Sequence, residues 1–152
     1  MSFEAYAKEL ADPATPLAVS KLVNLSGMGT GQASLLMDAW PEMDLHRRQR
    51  LIQELIDLAE DNVELNFDAV FFIALTDRDA GVRRNAIRGL WEYEARDLID
   101  SLLGLLEGDP DVGVRAEAAL ALGRFVLLAE LDVLRAPDAE RVEQALRRTV
   151  ED

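Results

Sequence analysis

The chain contains no cysteine. Disulfides and thiolate metal sites are therefore excluded. Histidine is nearly absent as well. His46 is the only one, and a lone imidazole cannot hold zinc or a di-iron centre without several other ligands. Followed by Arg47 and Arg48 near an expected helix start, it reads as a surface residue. Long apolar runs are also missing. The longest, residues 69–75 (AVFFIAL), is far too short to cross a bilayer. The N-terminal stretch MSFEAYAKEL is acidic and amphipathic and lacks the basic-then-apolar layout of a secretory signal. These absences point to a cytoplasmic protein with no membrane partner.

Positive charge is scarce. Sixteen basic residues face 29 acidic ones, for a net charge of −13. Residues 1–76 carry 5 basic and 12 acidic side chains, a balance of −7; residues 77–152 carry 11 and 17, a balance of −6. No basic domain hides in the average. Such a field repels phosphate backbones and argues against nucleic acid as a ligand. It suits a basic partner, and equally it serves solubility.

What is present is a repeat. Residues 77–91 (DRDAGVRRNAIRGLW) and 109–123 (DPDVGVRAEAALALG) share seven of fifteen positions without a gap: the pairs Asp77/Asp109, Asp79/Asp111, Gly81/Gly113, Val82/Val114, Arg83/Arg115, Ala86/Ala118 and Leu90/Leu122. Chance gives roughly one. Each copy opens with an Asp-x-Asp turn and becomes a helix. Asp79 and Asp111 are suited to cap it, because a short carboxylate accepts the free N–H groups of the first turn. Val114, Ala118 and Leu122 then recur at helical spacing, forming one apolar stripe. A weaker third copy lies upstream, where Glu42, Asp44, Arg48, Ile52 and Leu55 align with Asp77, Asp79, Arg83, Ile87 and Leu90. Arg47 stands there in place of the valine.

These segments resemble the HEAT repeat, whose first helix opens Asp-Pro-Asp-x-x-Val-Arg and continues through alanines to Leu-Gly. The run LIQELIDLAEDNVELNFDAVFFIALTDRD followed by VRRNAIRGLWE looks like bacterial HEAT-repeat proteins of no assigned activity. The resemblance implies an all-α fold: a right-handed superhelical solenoid of about four antiparallel helix pairs plus an N-terminal helix. It also implies a ladder of bonds between the Asp and Arg of neighbouring repeats. That role falls to Asp77, Asp79, Arg83, Asp109, Asp111 and Arg115, with Arg48 as the doubtful member.

At 152 residues the chain suffices for one domain with a sizeable core. Its apolar content is that of a globular protein. The expected organisation is a single domain over 1–152 with repeats at 15–41, 42–76, 77–108 and 109–150. Residues 3–11 read as a short helix. Residues 17–25 read as a second, with Thr15 as cap and Pro16 at its first position. Residues 26–31 (SGMGTG) read as a loop, and 32–40 as a helix closed by Pro41. Residues 42–61 carry a long amphipathic helix. Residues 67–75 (FDAVFFIAL) read as helix, with a strand as rival over 69–75. Helices then follow over 79–91, 96–106, 112–128 and 137–150, the last with Asp138 and Glu140 in its first turn. The ending TVED looks like the start of a further inter-repeat turn. Two readings of it stay open: a segment of a longer array, or a charged last helix that caps the stack.

Chemistry-bearing motifs are weak. The glycines of 26–31 lack the Gly-Lys-Ser/Thr ending and the preceding strand of a phosphate loop. Asp57, Glu60, Asp61, Glu64 and Asp68 cluster around a turn, but without EF-hand spacing or its glycine; they read as solvated carboxylates and caps. Trp40 and Trp91, at helix ends, read as packing residues. Phe67, Phe71 and Ala74 share one helical side, whereas Phe72 lies nearly a hundred degrees away, either in the core or as a partner anchor.

The function expected is a non-catalytic protein-interaction scaffold without a cofactor, binding a protein partner through its concave face. Candidate contacts are Phe72, Asp68, Asp97, Asp100 and Ser101, whose acidic and apolar character favours a basic, partly helical peptide. The chain would be monomeric or weakly self-associating through its terminal repeat. The alternatives are a HEAT-like enzyme or ligand binder (bilin lyase-like, or, against the charge, DNA glycosylase-like) and a structural spacer.

Overall fold

A computed structural model describes residues 2–130 and 136–151. All regular elements among them are helical, with no strand. The α-helices are α1 (Phe3–Ala11), α2 (Thr30–Ala39), α3 (Leu45–Asp61), α4 (Asp68–Ala74), α5 (Ala80–Gly89), α6 (Asp97–Gly108), α7 (Val112–Glu130) and α8 (Ala136–Glu151). Two 3₁₀ segments, Val19–Leu25 and Trp40–Glu42, lie between α1 and α3. The chain forms two compact units, residues 1–89 and 90–152.

In the first unit α1 packs on α2, α2 on α4, and α5 on both α3 and α4. Three aspartates start the long helices in the same way. Asp44 accepts from the Arg47 N–H at 2.8 Å, as does Asp79 from Val82 at 3.0 Å. In the second unit Asp111 accepts from Val114 at 2.9 Å. Each bond satisfies one of the free donors that every helix start leaves over. In α3 the apolar positions Leu51, Ile52 and Leu55 are fully buried. Segment 67–75 is a helix because Phe67, Val70, Phe71 and Ala74 recur at spacings of three and four and all point inward. A Cβ on Gly89 would sit 2.5 Å from the Phe71 ring, so glycine is what lets α4 and α5 approach so closely.

In the second unit α6, α7 and α8 pack pairwise. Leu98, Ile99, Leu102 and Leu106 of α6, Val114, Ala118, Leu122 and Phe125 of α7, and Val142 and Ala145 of α8 are buried. Asp138, in the first turn of α8, is buried and ion-paired with Arg96 at 3.1 Å.

Several local expectations are corrected. Residues 17–25 do not form an α-helix; they form a 3₁₀ helix from Val19. Leu22 and Leu25, three apart, eclipse on one face of such a helix and are both fully buried. The Asn24 side chain donates to the Lys21 carbonyl at 2.8 Å, competing with the α-helical ladder. Thr15 caps no helix. Its hydroxyl donates to Asp12 at 2.9 Å, and Asp12 also accepts from the Ala14 N–H. Those two bonds, the backbone one foremost, hold the Asp12 carboxyl below its usual range. The helix expected over 32–40 starts earlier, at Thr30, and ends at Ala39, just before Pro41, which sits in the 3₁₀ turn Trp40–Glu42. Trp91 lies beyond the end of α5 and is 46% exposed, so it is not a packed residue. No turn begins at TVED: α8 continues through Glu151, and Asp152 lies outside the described residues.

Tyr6 of α1 carries a buried phenol. It is 3% exposed and its hydroxyl has no hydrogen-bond partner among the described residues. Burial, with the Glu9 charge adding to it, pushes its pKa up to about 12. The folded state therefore keeps the phenol proton after the unfolded chain has lost it. Stability is unaffected below pH 10 and falls as pH rises from 10 towards 12. Tyr6→Phe is expected to leave stability at pH 7 unchanged or raise it by up to about 1 kcal/mol. It is also expected to remove the decline between pH 10 and 12, as measured by urea unfolding across that range.

Candidate partner-binding groove

The aligned Arg of each repeat copy folds back on its own cap turn. Arg83 donates to the carbonyls of Asp77 and Arg78 at 2.9 and 3.0 Å, and Arg115 to that of Asp109 at 2.7 Å. Arg48 does the same to Met43 at 2.6 Å. The aspartate of each turn is likewise conserved in geometry between the two clear copies: Asp77 accepts from the Asp79 N–H, and Asp109 from the Asp111 N–H, both at 2.9 Å.

Within the first unit this register brings Arg48 and Asp77 together. Arg48 Nε donates to Asp77 Oδ2 at 2.8 Å and Nη2 reaches Oδ1 at 3.5 Å. Both side chains are almost fully buried, at 4% and 2% exposure. Trp40 supplies a third donor, its indole Nε1 lying 2.7 Å from Asp77 Oδ2. A buried ion pair is tolerable only when its remaining donors and acceptors are satisfied. Here every nitrogen of the guanidinium has an acceptor, and each carboxylate oxygen has at least two donors. The node fixes α3, the 3₁₀ turn Trp40–Glu42 and the turn before α5 relative to one another.

An open groove of about 650 Å³ lies over this node. Ala33 and Met37 of α2 form one wall, Ala69, Phe72 and Ile73 of α4 the other, and Trp40, Arg48 and Asp77 contribute to its lining. Met37 is 57% exposed there. Phe72 is half-buried and lines the groove rather than the core face of α4, which Phe67 and Phe71 occupy. Asp68 stands one turn before Phe72, half-buried, and this burial raises its carboxyl above the ordinary range. Asp38 and Glu42, both exposed, follow the lining residues Met37 and Pro41 in sequence. Asp38, Glu42 and Asp68 form no ion pair among the described residues.

The remaining candidates lie in the second unit, on α6. Asp97 accepts the Tyr93 hydroxyl at 2.9 Å. Asp100 is ion-paired with Arg141 of α8 at 2.6 Å, a bond that raises the Arg141 pKa. Ser101 is half-buried. His46 is exposed in the first turn of α3. No group of three or more His, Asp or Glu side chains converges as a metal site among the described residues, and none of the described helices is long and apolar enough to cross a membrane.

The family model for HEAT repeats matches residues 68–151, more than half of the chain. The chain belongs to the HEAT-repeat family. Neither the curated proteins nor the solved structures provide a match. HEAT repeats generally mediate protein interactions, and the family is typically a non-enzymatic scaffold.

Two features of this HEAT-repeat chain escaped the sequence. Trp40, expected to pack, also donates to Asp77. Arg47 stands where the repeat has a valine. Its guanidinium donates to the carbonyls of Leu10 and Asp12, both at 2.9 Å, and to that of Thr15. The Leu10 carbonyl is one that the last turn of α1 leaves open, and those of Asp12 and Thr15 belong to the turn that follows. The only available signal was that Arg47 breaks an apolar position.

Trp40→Phe keeps the ring and removes one charge-assisted donor from a buried carboxylate. It is expected to lower the unfolding free energy by about 1–3 kcal/mol, measured by urea unfolding followed by circular dichroism.

Proposed function

We propose that this protein is a non-catalytic interaction scaffold that docks a basic, amphipathic helical segment of a protein partner in the groove between α2 and α4. The observation that carries this reading is an apolar trough with a rigid, hydrogen-bonded base, whose lining residues Met37, Pro41 and Ala69 adjoin Asp38, Glu42 and Asp68 in sequence and which also includes the exposed Arg78. Met37, Phe72 and Ile73 offer apolar contact that a helix can meet with side chains spaced three and four apart. Asp38, Glu42 and Asp68 offer negative charge to Lys or Arg on the flanks of that helix. A cation beside Asp68 would also relieve the burial that disfavours its charged form. The net charge of −13 favours encounter with a basic partner. On α6, Asp97, Asp100 and Ser101 stay in the proposal as an additional acidic contact surface, and a cytoplasmic location belongs to it as well. The Asp and Arg residues of the repeat turns are assigned structural roles, supported by their bonds to the cap turns.

The test is selection of peptides from a random library against the wild-type protein, followed by titration against Met37→Glu. Met37 is mostly exposed, so the variant retains the fold. Recovered peptides are expected to carry Lys or Arg beside apolar residues at helical spacing, to bind more weakly at high salt, and to lose at least tenfold in affinity for the variant, about 1.4 kcal/mol. Peptides that bind wild type and Met37→Glu equally would remove the groove from the account.

A further inference from the structure

The repeat supplies its own internal control for the outward face of each first helix. Offsets of 35 and 32 residues align Gln49 of α3, Arg84 of α5 and Ala116 of α7, and likewise Gln53, Arg88 and Leu120. At the positions aligned with Val112, Ala116, Leu120, Gly123 and Leu127, the first copy has Leu45, Gln49, Gln53, Ile56 and Glu60, and the second has Ala80, Arg84, Arg88, Trp91 and Ala95. In α7 they are apolar: Val112 is 71% exposed, Leu120 61% and Leu127 56%, with Ala116 and Gly123 between them. At roughly 100° per residue these five fall within an arc of about 80°. The opposite arc, Val114, Ala118, Ala121, Leu122 and Phe125, is the one buried in the unit. The change falls at the centre of the stripe, where Gln49 and Gln53 of α3 and Arg84 and Arg88 of α5 give way to Ala116 and Leu120 of α7. Arg115, Glu117 and Arg124 fall on the flanks between the two arcs, so α7 carries two separate apolar faces and one of them is exposed.

We infer that the outward stripe of α7 is a self-association surface, and that what covers it is α7 of a second copy of this chain, running antiparallel about a two-fold axis. The stripe is self-complementary in size. With the two helices antiparallel, Leu120 of each copy faces Gly123 of the other, and Leu127 faces Ala116. Each large side chain thus meets a small one, as an isologous contact requires. A Cβ added at Gly123 meets nothing within 4 Å, so the fold itself does not need glycine there. A second helix packed close does. Arg124 borders the stripe, its guanidinium 5.7 Å from the Trp91 ring, and the half-exposed Trp91 widens the apolar surface on that side.

Size and charge set the strength of this contact. One helix of 19 residues is about 28 Å long, and a single-helix contact falls in the class below about 1,200 Å² that characterises weak, reversible association. Two copies of a chain with net charge −13 also repel. The stripe's centre is uncharged, so salt removes the repulsion without weakening the contact. Dimerisation therefore strengthens with salt, opposite to the binding of a basic peptide in the α2–α4 groove.

Sedimentation equilibrium of the full chain, from about 10 μM to about 1 mM, tests the inference. The expected result is a reversible monomer–dimer equilibrium, tighter at about 0.5 M than at about 0.02 M salt. Leu120→Arg and Gly123→Leu are each expected to weaken it by about tenfold or more, with the circular dichroism spectrum and thermal midpoint of the wild type retained. Two outcomes would overturn it: a monomer at every concentration and salt, or a dimer that both folded variants leave unchanged.

Discussion

A carboxylate buried in a helical protein has to be answered by donors, and the arrangement of the first unit follows from how Asp77 is answered. Arg48 comes from α3, Trp40 from the turn after α2, and the Asp79 N–H from the cap of α5. Two stretches distant in sequence, residues 40–48 and 77–79, are held at one point. An apolar contact is non-directional and would let these helices slide. A guanidinium and an indole that both donate to one carboxylate oxygen, at 2.8 and 2.7 Å, do not. The apolar side chains of α2 and α4 stand on this fixed base, and their separation makes the groove.

The repeat is informative where it departs from itself. At the position where Val82 and Val114 are fully buried, the first copy has Arg47. That arginine binds carbonyls at the end of α1 and in the turn that follows, so an apolar repeat contact has become a polar seat for the N-terminal segment. At the outward positions of α7 the exchange runs the other way, from Gln and Arg to Leu and Ala. The first departure lies where a copy of the repeat meets the N-terminal segment rather than another copy.

Most helices were legible because their signals are local. Asp44, Asp79 and Asp111 mark starts through a bond three residues long, and the buried spacing of Val114, Ala118 and Leu122 is the period of the helix. The 3₁₀ segment was not, because Leu22 and Leu25 three apart fit either helix and only the Asn24 bond to Lys21 separates them. Phe72 was singled out by its angle from Phe71, but its neighbours in the groove, Met37 and Trp40, lie more than thirty residues away and no local pattern joins them. In the sequence Asp97 and Asp100 are candidate contacts for a basic partner; the bonds to Tyr93 and Arg141 show that part of that charge is already engaged.

The central claim is that Arg48 and Asp77 act as one unit whose partners position each other. A double-mutant cycle with Arg48→Met, Asp77→Leu and the pair together measures this directly by equilibrium unfolding. Each single variant leaves an unanswered buried charge and is predicted to cost about 3–5 kcal/mol, with the double variant costing far less than their sum. Single effects that are small and add to within about 0.5 kcal/mol would contradict the account.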